Sequence, residues 1–155
     1  MSAAKGSSAK FHLTSPDDFF YCLRNTLTRY KSDKAKRVED LFFLVMGLTH
    51  LREWIAPGYK HEMPQTTAAH KLYHDIYETP EFQIVQSLCN GLKHVKDAPA
   101  TSYSAGLAFD DWPDVDSVVK WDDGPPTAFY VDGEEVGEIL QRLIDSYQRE
   151  WFSKI

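Results

Sequence analysis

The feature that most constrains this chain is the run Leu41-Phe42-Phe43-Leu44-Val45-Met46-Gly47-Leu48, apolar on nearly every side of a helix and closed downstream by Pro57-Gly58. Eight residues fall well short of the ~18 a membrane span needs, so the run predicts a buried central helix, over about residues 34–56, around which the rest of the chain packs. Asp33 is the expected cap of that helix. A first helix is predicted from Ser15-Pro16-Asp17-Asp18 to about Tyr30. Serine caps, proline suits the first turn, and the acids face the positive end of the dipole. Its inward residues are Phe19, Phe20, Leu23, Leu27 and Tyr30.

Thr66 or Thr67 opens a shorter third helix to about Glu78, marked by Leu72 and Ile76. Thr79-Pro80-Glu81 repeats the capping logic and opens a fourth, over about 80–96. Phe82, Ile84, Val85, Leu88, Cys89, Leu92 and Val95 form its apolar arc, leaving a polar stripe of Gln83, Gln86, Ser87, Asn90 and His94 with Lys93 beside it. Residues 98–114 read as loop, with a short strand near Leu107 to Phe109. Residues 115–121 and 127–131 read as strands joined through Asp122-Asp123-Gly124-Pro125-Pro126. Asp132-Gly133 turns into a last helix over about 134–153. The expected fold is mainly α: roughly five helices with a small β hairpin before the C-terminal one. Residues 1–14 are a flexible leader and residues 15–155 a single domain, with the β insert near 115–131.

Charge narrows the function classes. The 155 residues carry 17 Lys and Arg against 23 Asp and Glu, but residues 1–40 are net +3 and residues 97–155 net −9. A broad basic nucleic-acid surface is excluded, while a local patch at Arg29, Lys31, Lys34, Lys36 and Arg37 is not. Cys22 and Cys89 form no CxxC and fit a reducing compartment; with no secretory signal pattern and no spanning segment, the expected location is cytoplasmic. Gly-rich phosphate loops and a G-x-S-x-G elbow are absent. Asp110, Asp111, Asp114, Asp116, Asp122 and Asp123 lack the spacing of a calcium loop and read as a solvated acidic segment, which with Trp112 and Trp121 also suits a protein-interaction surface.

Two groups of residues carry chemistry. Asn90 and His94 share one helical face with Lys93 close by, an arrangement able to move a proton at a phosphodiester while the ammonium stabilises phosphate charge. His70 and His74, four apart, present two imidazoles on one face, and His50 is a candidate third metal ligand.

The string Asn90-Gly91-Leu92-Lys93-His94, following an apolar helix that ends in His50-Leu51-Arg52-Glu53-Trp54-Ile55, resembles the HEPN-like superfamily, and within it bacterial helical proteins with a C-N-x-x-K-H string before strands and a C-terminal helix. The resemblance spans roughly residues 15–153 in layout. It implies a helical bundle, a homodimer, no cofactor and, in active members, a metal-independent ribonuclease with an arginine and a histidine on one helix. His94 matches the motif histidine and Asn90 the polar residue after the arginine, whereas Cys89 occupies the arginine position. The implied context is RNA-directed stress or phage-defence biology, with His94 as general acid and base, Lys93 or Arg52 on the phosphate, and Asn90 as orienting donor. Two other readings are a metal-binding bundle similar to the DinB-like proteins, through His50, His70 and His74, and a non-catalytic module with a protein partner.

Overall fold

The computed structural model describes residues 13–93, 103–105 and 128–153. Among them are five helices, α1 (Pro16–Ser32), α2 (Val38–Ile55), α3 (Ala68–Tyr77), α4 (Pro80–Lys93) and α5 (Val136–Glu150), and three strands, β1 (Tyr103–Ala105), β2 (Phe129–Val131) and β3 (Glu134–Glu135). The leader up to residue 12, the predicted strands at 107–109 and 115–121, and His94 lie outside the described residues.

The capping signals hold where they were expected. Ser15 Oγ accepts the Asp18 amide at 3.1 Å, Thr67 Oγ1 the His70 amide at 3.1 Å and Thr79 Oγ1 the Phe82 amide at 3.2 Å, each satisfying a donor that a helix start leaves open. Asp33 does something else. It closes α1 by donating its amide to Arg29 O, and α2 begins four residues later than expected, after Arg37.

The reason is Lys36. Its ammonium turns back to donate to the carbonyls of Tyr30 (2.7 Å), Lys31 (3.1 Å) and Asp33 (2.7 Å), and it sits 5.0 Å from the Tyr30 ring centroid. Two of the orphan carbonyls at the end of α1, and that of its cap Asp33, are thereby satisfied by one cation, which also suits the negative end of the dipole. Lys36→Met keeps the stem and removes the donors. It should cost about 1–2 kcal/mol in urea denaturation, and a loss below about 0.3 kcal/mol would show that the cap contributes nothing.

Helix α2 is central, packing against α1, α3, α4 and α5. Its contacts set the directions of its neighbours. Phe19 lies against Trp54 (ring centroids 4.8 Å) while Arg29 reaches Asp40 (2.6 Å), so α1 runs antiparallel to α2. Cys89 Sγ meets Met46 Sδ at 3.2 Å while Phe82 stacks near Arg52, so α4 is antiparallel to α2 as well. Helix α5 crosses back along α1, with Phe152 stacked on Phe20 at 4.2 Å, and Tyr147 donates to Leu48 O at 2.9 Å inside the bundle. All five expected inward residues of α1 are buried. The apolar run of α2 is not wholly enclosed: Leu44, Val45 and Leu48 are buried, whereas Phe42 stays 44% exposed, with Val38 and Trp54 exposed on the same helix.

The sheet order is β1-β2-β3, antiparallel throughout, with Ala105 opposite Phe129 and Val131 opposite Glu134. The tight hairpin turn is Asp132-Gly133 (φ 49° and 83°), a two-residue loop with both residues in the left-handed region. The expected turn at 122–126 lies outside the described residues, and the last helix was expected to begin at Glu134. Instead Glu134 and Glu135 complete the hairpin, and Glu135 caps α5 by accepting the Gly137 amide at 3.0 Å. Strand β1 lies within a stretch read as loop. Arg142 fastens the hairpin to the bundle, reaching Glu134 at 2.6 Å and Glu81 at 3.2 Å.

Candidate functional site

Over its described part, Gln83 to Asn90, the polar stripe of α4 is exposed at Gln83 and Asn90 and half-buried at Gln86 and Ser87. Cys89 is fully buried while Asn90 beside it is exposed, because one residue step turns a helix by about 100° and carries the chain from the α2 contact to the surface. Gln83, at the start of the stripe, donates to Tyr77 O at 2.6 Å and joins the end of α3 to α4. Lys93 is the last residue of α4 that the structure describes. Asn90 thus stands on the outer face, one turn before Lys93.

Arg52 is placed elsewhere. It is 6% exposed, its guanidinium carbon 3.8 Å from the Tyr73 ring centroid, 4.6 Å from Phe82 and 5.3 Å from Tyr77, with Nη1 donating to Tyr73 O at 3.1 Å. Because α2 and α4 are antiparallel, the Arg52 level is that of Phe82, and Asn90 lies about 12 Å further along α4 at 1.5 Å per residue. A phosphate held at Asn90 and Lys93 is out of its reach within one subunit. Arg52 is instead a buried cation sheltered by aromatic faces, and its Nε has no partner among the described residues.

The three candidate metal ligands do not converge. His50 Nδ1 lies 3.2 Å from Glu53 on the outward side of α2, whereas α3 packs on the Arg52 side. His70 Nδ1 accepts the Thr66 amide at 3.1 Å. His74 Nε2 lies 2.7 Å from Tyr59 Oη. That hydroxyl has one hydrogen and donates it to Met63 O at 2.8 Å, so His74 Nε2 must carry its own hydrogen and donate. Two of the three imidazoles therefore use ring nitrogens to tie the 56–67 loop to α3. Among the described residues no group of three His, Cys, Asp or Glu could hold a metal ion.

What sequence reasoning missed is the corner that these bonds make. Tyr59 stacks on His70 (centroids 4.0 Å, 17°) and meets Tyr73 edge-on, and the His61 ring lies 4.4 Å from His74 and 4.9 Å from Tyr77. Burial pushes the Tyr59 phenol up, helped by the negative field of Glu62. Tyr59 and His61 belong to no periodic segment, and the one available signal was the concentration of three of the six histidines within residues 61–74.

The basic stretch is also partly occupied. Arg29 is bound to Asp40, which raises its pKa, Lys31 lies 3.5 Å from Glu138, and Lys36 caps α1. Among the described residues no helix is long and apolar enough to cross a membrane. Comparison of the chain with protein-family models, curated proteins and solved structures found no match.

Proposed function

We propose that this chain is a HEPN-like helical protein directed at RNA, which holds its ligand at Asn90, Lys93 and His94 without the cleavage chemistry of active members. The observation that carries the reading is the pair Cys89 and Asn90: the polar face survives at Asn90, while the arginine position of the motif is a thiol turned into the α2 contact. A buried thiol offers a phosphate no charged planar fork, and Arg52 lies at the wrong level of the bundle to replace one. Lys93 is left as the cation for phosphate, with Asn90 and His94 as hydrogen-bonding groups. Two subunits pairing through the helices that carry the Asn90–His94 face would double this small basic site, and stress or phage defence in the cytoplasm is the setting that the resemblance implies. Net charge −6 gives no long-range attraction to RNA, so binding rests on this confined contact.

Fluorescence anisotropy with a labelled single-stranded RNA in EDTA, followed by a gel of the same mixture, tests the proposal. Wild type should bind and leave the RNA intact. Lys93→Ala should weaken binding about tenfold and lower the salt slope by about one, with Asn90→Ala and His94→Ala weakening it less. Cleavage that disappears in His94→Ala would restore the catalytic reading. No RNA binding at all would overturn both and favour a protein-interaction module, for which the exposed Val38 and Phe42, one turn apart on α2, supply an apolar patch.

A further inference from the structure

Helix α3 starts with two hydrogen bonds resembling a capping box, in which a histidine takes the position usually held by glutamate or glutamine and reaches the amide one residue before the N-cap. Thr67, the N-cap, accepts the His70 amide at 3.1 Å, and His70 Nδ1 reaches back to accept the Thr66 amide at 3.1 Å and to meet Thr66 Oγ1 at 3.2 Å. A backbone amide can only donate, so this bond requires a bare lone pair on Nδ1, and the neutral ring keeps its hydrogen on Nε2. A second proton on the ring must go to Nδ1. It would then face the amide hydrogen, and the ring could keep only the Thr66 hydroxyl, as a donor. The acceptor that a carboxylate or carboxamide supplies here over a wide pH range is, in this chain, removed by one proton.

We infer that His70 is a proton-operated latch that holds the 56–67 loop on α3 while neutral and lets it go when protonated. The loop depends on that ring for more than one bond. Tyr59 stacks flat on it, and with Ala56 and Tyr73 forms a small buried cluster of its own beside the main core. The Tyr59 hydroxyl in turn binds Met63 O and His74 Nε2, so displacement of the His70 ring disturbs the loop at both ends.

The charges around the ring come from four elements. The loop carries Lys60, His61 and Glu62, of which Glu62 acts on the Tyr59 phenol. Helix α3 itself carries His74 and the Lys71–Asp75 pair at 2.6 Å, while Glu150 of α5 acts on Lys71. Arg52 of α2 lies beneath Tyr73 and Tyr77. Whatever the balance of these charges, the amide hydrogen and the added proton compete for one lone pair, and that competition makes the latch.

The test is a proton and nitrogen NMR titration of the full chain from neutral to mildly acidic pH. The ring nitrogen shifts of His70 report its own protonation, and the Thr66 amide reports the latch. Protection of the Thr66 amide, corrected for intrinsic exchange, should fall about fivefold or more in step with His70 protonation, with the Tyr59 ring signals moving at the same midpoint. In His70→Gln the side-chain oxygen accepts at every pH, so Thr66 should stay protected throughout. A Thr66 amide still protected when the His70 ring is fully protonated would overturn the inference. So would an equal acid loss in His70→Gln, or an unprotected Thr66 amide in wild type at neutral pH.

Discussion

Raising the pH above 10 should unfold this protein cooperatively, with two phenols ionising only as the bundle opens. Burial pushes the Tyr30 and Tyr147 phenols well above the ordinary value of 10.0, and for Tyr30 the negative charge of Glu135 adds to the effect. Tyr147 is fully enclosed, with Arg52 partly offsetting its burial, and its hydroxyl is bonded to Leu48 O. Tyr30 Oη is buried with no partner among the described residues.

The sign follows from proton counting. Below the unfolded value both states hold these protons and stability is unaffected. Between the unfolded and folded values the unfolded chain has lost protons that the folded chain retains, so stability falls as pH rises. Each group removes up to roughly 1.4 kcal/mol per pH unit, so two units of alkali cost about 5 kcal/mol for the pair, within the range of a small domain's whole stability. Phenolate absorbance near 295 nm should therefore show a late component that coincides with loss of the helical circular dichroism signal. Tyr147→Phe should roughly halve the slope of stability against pH above 10. Complete phenol titration with helicity intact would rule out the burial argument for both residues.

Much of the helical fold was legible because its signals are local. Ser15-Pro16, Thr67 and Thr79-Pro80 cap with their own side chains, and the inward positions of α1 follow one helical period. The misjudged boundaries are those where a distant group decides. Asp33 looked like a cap for α2 by its type, yet the path of the chain lets Lys36 return to the carbonyls of α1. Glu134 and Glu135 form a strand too short to show an alternation, and only pairing with Tyr130 and Val131 separates them from the helix that follows. Burial of α2 was overestimated because a run apolar on all sides says nothing about how many sides have neighbours, and Phe42 has too few.

The candidate site was legible in part. The exposure of Asn90 beside a buried Cys89 follows from helical spacing, but the level of Arg52 against Phe82 depends on the antiparallel packing of α2 and α4. The pair His70 and His74 stands on one face as expected. Their ring nitrogens are nonetheless taken by Thr66 and Tyr59, partners that an i,i+4 pattern cannot reveal. Chelating spacing describes where imidazoles stand, and the loop that returns over them determines what their lone pairs do.

At Gly47 α1 and α2 approach too closely for a side chain, and Gly47→Leu should cost about 3 kcal/mol, near the upper end for overpacking. A Cβ placed there would collide with Leu23 Cδ2 and lie 3.1 Å from the Phe19 ring. Leu23 is fully buried, and Phe19 is held between Phe43 at 6.3 Å and Trp54 at 4.8 Å, so both must shift within a packed seam to admit a leucine. Leucine is a good helix former, so the substitution gains about 0.5 kcal/mol or more of local propensity over glycine, and any net loss must come from the contact. For a chain of this size the expected fall in Tm is about 6–12 °C. Leu23→Ala should restore part of it in the double variant even though it opens a cavity in the wild type, a coupling that a merely local effect at Gly47 would not produce. A Gly47→Leu protein with unchanged Tm would mean that the seam is loose. The antiparallel α1–α2 pair, with Arg29 on Asp40 at one end and Phe19 on Trp54 at the other, would then not be what holds α2 at the centre of the bundle.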